Sequence, residues 1–260
     1  MKSHLRYPRI VIALMIVIGS VGWTVAYAVS GPPFNGWLQL NGGYAQVPYQ
    51  NEISIDPANG SFTIEGWINN PYFFTDTTHY AVYRQASFAL DFWHSQLPSP
   101  AHSIYGVAFM SCGGSFCTYQ SHVLSECAFG VNCQPQGAYH FAYVYDHGTN
   151  KGALFLNGVL IGSDEAIPQT SSQPIVLQYA ASMDEFRISN NVRYTASFTA
   201  PSAPYACDGN TQALWHFDEI AGSTTFHDAC GTVDNIMSGY NGAHSEGVTG
   251  YKVYLPLAIK

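Results

Sequence analysis

Residues 139–145 read Tyr-His-Phe-Ala-Tyr-Val-Tyr, and an Asn-Gly pair at 157–158 divides the apolar run that follows. This two-residue period sets Tyr139, Phe141, Tyr143 and Tyr145 on one side of a strand and His140, Ala142 and Val144 on the other. Asn157-Gly158, between Leu156 and Val159, is a strong hairpin signal, because both central residues of the tight turn need positive φ. The stretch therefore demands a sheet with a large apolar face, and a second layer to cover it.

The same alternation recurs along the chain. Strands are expected at 37–41, 44–48, 62–69, 79–84, 86–93, 104–110, 139–146, 153–157, 174–179 and 182–189. Turn signals at Asn41-Gly42, Asn59-Gly60 and Asp146-His147-Gly148 separate them, with little helical periodicity between. The fold expected is all-β, a two-sheet antiparallel sandwich. Residues 94–138, rich in Ser, Pro, Gly, Cys and His, read as long loops around two or three short strands, and 29–36 as a turn-rich lead-in.

Residues 1–28 carry a basic start, an apolar stretch and the small-x-small site Ala26-Tyr27-Ala28, the pattern of an export signal. The competing reading is an uncleaved anchor, since Ile10–Val29 holds no charged residue. Cleavage after Ala28 would remove Lys2, Arg6 and Arg9, three of the nine Lys and Arg, leaving six bases against seventeen acids. Such an acidic, Lys-poor surface repels phosphate backbones and anionic lipid, which argues against nucleic acid or a membrane as partner beyond that N-terminal segment.

Cys112, Cys117, Cys127, Cys133, Cys207 and Cys230 all follow the signal, and an even count in an exported chain favours disulfides. The simplest pairing is Cys112–Cys117, Cys127–Cys133 and Cys207–Cys230, with exchange within the first four open. Zinc on the 112–133 cluster is the alternative, although the usual two-residue gaps are missing.

The segments Leu40–Pro48, 62-FTIEGWI-68, 139-YHFAYVYD-146 with 153-ALFLNGVLIGS-163, and 183-MDEFRIS-189 follow one another in that order. The order resembles the laminin-G-like modules of the concanavalin A-like lectin/glucanase superfamily. The resemblance implies a jelly roll of two curved antiparallel sheets over 37–243. The segment 213-ALWHFDEIAGSTTFHDACG-231 is similar to one that usually precedes the opening strands of these modules, yet here it stands after the late strand. It reads as completing the same core from the C-terminal side over 211–243, with a truncated second repeat as the alternative and 244–260 as a tail.

The superfamily includes glycoside hydrolases, which need two carboxylates about 5–10 Å apart. No strand offers acids at i and i+2, and Asp184-Glu185 are neighbours whose side chains are expected on opposite faces. No nucleophile elbow, phosphate loop or His-Glu-x-x-His occurs either. The resemblance also implies calcium between the opening turn and the late acidic strand, at Asn41 and Asp184. Sugar binding asks for exposed aromatic faces beside hydrogen-bonding groups, and Tyr72, Phe74, Tyr80, Trp93 and His94 are the candidates. The function expected is a secreted or cell-surface, non-enzymatic module binding an extracellular glycan or a cell-surface protein. A structural or adhesive envelope protein and a glycan-cleaving enzyme are the rivals.

Overall fold

The computed structural model describes residues 36–53, 60–75, 81–85, 88–98, 101–113, 116–128, 131, 133–165, 172–230 and 234–247. The expected signal, most of the lead-in, Tyr80 and most of the tail lie outside these residues, as do the side chains of Phe74, Cys112 and Cys117.

Two sheets face each other, with no α-helix among the described residues. The first runs in the order β11 (Val159–Glu165), β10 (Lys151–Leu156), β9 (Ala138–Asp146), β3 (Phe62–Pro71), β13 (Ala180–Ser189), β1 (Leu38–Gln39) and β17 (His244–Ser245). Strand β14 (Thr211–Trp215) pairs with the later half of β13, beyond the stretch that pairs with β1. The second sheet runs β15 (Thr225–Phe226), β16 (Met237–Tyr240), β2 (Tyr44–Val47), β12 (Ile175–Gln178), β5 (Ala81–Gln85), β6 (Phe88–Pro98), β7 (Ala101–Gly113) and β8 (Phe116–Ala128). All these pairings are antiparallel, and a short β4 (Phe74–Thr75) lies parallel to β6.

The core forms where the inner faces meet. Tyr139, Phe141, Tyr143 and Tyr145 all point into it, as their period requires. Phe109 of the second sheet stacks on Tyr143 of the first at 3.5 Å, Phe88 meets Phe62 edge-on at 5.6 Å, and Tyr83 packs on Phe186 at 5.7 Å. Aromatic residues bridge the roughly 10 Å gap between facing sheets better than short aliphatics do. The C-terminal segment joins both layers: Trp215 stacks on Phe186, and Met237 and Phe226 are fully buried.

The expected turn at 157–158 is present, with φ of 50° at Asn157 and 78° at Gly158. One expectation needs correcting. Residues 94–138 are not mainly loops: β6 to β8 form a meander whose strands reach 11, 13 and 13 residues. Their Ser, His and Gly content misleads because a strand half facing solvent needs apolar residues only at alternate positions, here Val107 and Phe109.

Candidate functional site

The outer side of the first sheet is covered by residues 190–206, which cross it as a strap. Thr63 donates its hydroxyl to the Asn191 carbonyl at 2.7 Å, Phe198 N–H donates to the Gly158 carbonyl at 2.8 Å, and Leu160 N–H donates to the Ser197 hydroxyl at 3.0 Å. Tyr194 and Phe198 stack at 3.6 Å, and both pack against Phe155.

Beneath the strap lies a layer of buried charge. Glu65, fully buried, accepts from Arg187 Nε and Nη2 at 2.9 and 2.7 Å and from the Tyr194 hydroxyl at 2.8 Å. Burial alone would raise its pKa, but the His140 ring, the Arg187 guanidinium and the Tyr194 hydroxyl outweigh burial and hold it at about 2. Arg187 also lies 4.0 Å over the Tyr205 ring, whose hydroxyl is 2.6 Å from His140 Nε2. These groups bond to one another and so anchor the strap to the sheet, while His140 Nδ1 has no hydrogen-bond partner.

The expectation that Asp184 and Glu185 face opposite ways is corrected. The register between β13 and β3 shifts here, Glu185 has φ of 51°, and both Met183 and Phe186 reach the core. The extra residue of this bulge sends both carboxylates to the outer side. Glu185 accepts from Tyr205 N–H and bonds His216 Nδ1, each at 2.7 Å, and this partner raises the His216 pKa. Asp184 is 1% exposed; its Oδ1 accepts from Glu185 N–H while Oδ2 has no partner. Burial first, then the charges of Glu185 and Asp218, push its pKa up to about 9.

The register does not set Asn41 opposite Asp184: Leu38 pairs with Met183, and Asn41 lies in the turn that follows β1. No group of three His, Cys, Asp or Glu side chains that could hold a metal ion forms among the described residues.

The aromatic candidates also diverge. The strand register sets Phe74 beside Trp93 and the next residue, Thr75, beside His94. The Trp93 indole lies flat over Gly106 on the outer side of the second sheet, where a Cβ would fall 2.2 Å from the ring. His94, one residue on, points inward and stacks on Tyr105 at 4.4 Å, with burial lowering its pKa. Tyr72 is 39% exposed. Trp93 and His94 therefore serve different faces and share no platform.

What sequence reasoning missed is a cavity of about 170 Å3 between the outer side of β9, β10 and β11 and the strap. Its floor is apolar, made by Val144, Ala153, Phe155 and Leu160, and Val192, Tyr194 and Thr195 form one wall. Asp146, Thr149, Lys151 and Ser163 edge the mouth. The Asp146 carboxylate is already fixed by Gly148 N–H at 2.9 Å and the Thr149 hydroxyl at 2.8 Å. An apolar floor with a few polar groups converging on it is the usual form of a small-ligand site. The signal for it was the outward register of Val144 and Asp146, combined with large apolar residues in a stretch, 190–206, without strand period.

With two antiparallel sheets closed on an aromatic core, the architecture is settled. The chain is a jelly-roll sandwich. No family model matches it, and no curated protein does. Among solved structures, the jelly roll is similar to a Bacteroides ovatus protein assigned as carbohydrate binding, with a TM-score of 0.55 and 14% identity. That likeness covers 84% of this chain and 61% of the other, so the sandwich spans less than two thirds of that relative. Weaker likenesses are to a heptameric SAP-like pentraxin of Limulus polyphemus, with a TM-score of 0.39, 11% identity and coverage of 68% and 80%. A further one is to the binding domain of botulinum neurotoxin DC in complex with SialylT, with a TM-score of 0.41, 13% identity and coverage of 60% and 42%.

Proposed function

We propose that this chain is a secreted or cell-surface laminin-G-like module that binds carbohydrate without cleaving it, holding one sugar residue of a glycan in the cavity beside the strap. The observation that carries the reading is the cavity's make-up: an apolar floor for a ring face, with carboxylate, ammonium and hydroxyl groups at its edge for the sugar hydroxyls. At about 170 Å3 it lies below the roughly 300–1,000 Å3 of sites for drug-sized ligands, which suits a single ring.

Binding without cleavage is supported by the carboxylates. Hydrolysis uses two, and among the described residues Asp146 is the one acid lining the cavity. Export is supported by the disulfides Cys127–Cys133 and Cys207–Cys230, which persist in oxidising compartments. Calcium remains a proposal for Asp184, with Asp218 as a second carboxylate, motivated by the unpartnered Asp184 Oδ2.

The test is a glycan array probed with the full chain, followed by chromatography of each bound glycan after prolonged incubation. Retention of intact glycan supports the reading. Released fragments would make the protein an enzyme, and no retention on any glycan would favour a role in assembly.

A further inference from the structure

The outer side of the second sheet carries a patch of aromatic, amide and basic side chains on β16, β2, β12 and β5. The register aligns Tyr240 with Tyr44 and Gln178 in one row, and Ser238 with Gln46, Val176 and Arg84 in the next. The intervening residues Ala45, Leu177 and Tyr83 are fully buried in the core, so the pleat turns this set outward. Tyr44 and Tyr240 stack at 4.9 Å with 18° between their planes, and Tyr240 stays 44% exposed.

The charge on this face is the deciding feature. The chain has 17 Asp and Glu against 9 Lys and Arg, yet the segments MSGY, YAQV, IVLQ and AVYRQ that form β16, β2, β12 and β5 contain no acid. Arg84 is exposed and makes no ion pair among the described residues. On the neighbouring strand Asp91 stands two residues beyond Ala89, the strand partner of Arg84, and is only 2% exposed. A guanidinium that no described residue neutralises is complemented by a ligand carboxylate, which it can grip with two parallel hydrogen bonds. The stacked tyrosines offer a ring face, and Gln46 and Gln178 offer amides that both donate and accept.

We propose that this face is a second glycan contact surface and that it takes an acidic glycan, one whose sugar residues bear carboxylates. The inference rests on the glycan-binding reading but uses the opposite sheet from the cavity. Arg84 stands two to three strand spacings across and two residues along from the tyrosine pair, about 12–16 Å. The ligand is therefore a chain of at least two residues, with a carboxylate at Arg84 and a neighbouring ring against Tyr44 and Tyr240. The molecule's net negative charge does not forbid this, because charges beyond about 8 Å are largely screened at physiological salt.

The test compares matched pairs that differ in the carboxylate: oligogalacturonate with its methyl ester, and sialyllactose with lactose. Binding is measured by calorimetry on the full chain, on the R84Q and Y240A variants, and on A153W, which fills the cavity on the other sheet; melting curves verify folding. At least one acidic ligand should bind about tenfold or more tightly than its neutral partner, and added salt should weaken it. The pair that shows the preference identifies the source of the carboxylate. R84Q should abolish the preference, Y240A should weaken both members of the pair, and A153W should leave the preference in place. Equal affinity for acidic and neutral partners, or a preference untouched by R84Q, would overturn the proposal while glycan binding stands. Failure of every glycan to bind would overturn both readings.

Discussion

Arg187 holds Glu65 Oε1 through two nitrogens, Nε at 2.9 Å and Nη2 at 2.7 Å, on the outer side of a sheet where Glu65 has no exposed surface. Both residues sit beneath the strap, so the pair decides whether that segment has a surface to dock on. Removing one partner strands the other charge in a dry layer. R187M should therefore lose about 3–5 kcal/mol of stability in denaturant titration. A loss under about 1 kcal/mol would show that the layer is wetter than described.

The same pair sets an acid limit. The Glu65 pKa falls from 4.5 to about 2 on folding, so its stabilisation is fully present above pH 4.5 and lost as pH falls through about 2. Thermal melts across this window should show a steep decline in the wild type. In E65Q, already less stable at neutral pH, the decline should be shallower.

Gly158 is constrained twice, by φ of 78° and by a Cβ position 2.0 Å from the Phe198 carbonyl oxygen. G158A should cost about 2 kcal/mol or more, since the hairpin strains and the strap must lift. Because that movement opens the cavity, proteolysis within 190–206 should quicken. An unchanged melting temperature would refute the close approach.

Cys207–Cys230 closes a separation of 23 residues and ties the end of the strap to the segment that completes both sheets. The double variant C207S/C230S should lose about 3 kcal/mol by the chain-entropy model. Cys127–Cys133, separated by 6 residues near the end of β8, closes a shorter loop, and its removal should cost less. Equal losses would contradict the assignment of Cys207–Cys230 as the fastening of the core.

If calcium occupies the Asp184 and Asp218 side, millimolar calcium at neutral pH should raise the melting temperature of the wild type, and D184N should not respond. Without a cation Asp184 is neutral at that pH, its pKa lying near 9, so D184N should fold normally. No calcium shift in the wild type would end the calcium proposal.

Much of the fold was legible because period-two patterning reports which residues face a core, and Tyr139 to Tyr145 and Asn157-Gly158 lie as that logic requires. The meander from β6 to β8 was not, because strands that are half solvated resemble loops in composition. The site was harder still. Trp93 and His94 are adjacent in sequence, and the pleat sends them to opposite sides of a sheet. A bulge at Glu185 does the reverse to Asp184 and Glu185, joining two side chains that simple alternation separates. The cavity depends on a strap of irregular backbone laid over a sheet, and no local period encodes where such a segment docks.

The most direct measurement is glycan binding by the full chain with and without A153W, on an array that includes acidic and neutral glycans, with product analysis alongside. The wild type should retain at least one glycan intact. A bulky side chain on the cavity floor should abolish binding to glycans held by a single sugar residue while the melting curve is preserved. Retention of every glycan by A153W at wild-type strength, or cleavage of the bound glycan, would contradict the proposed function.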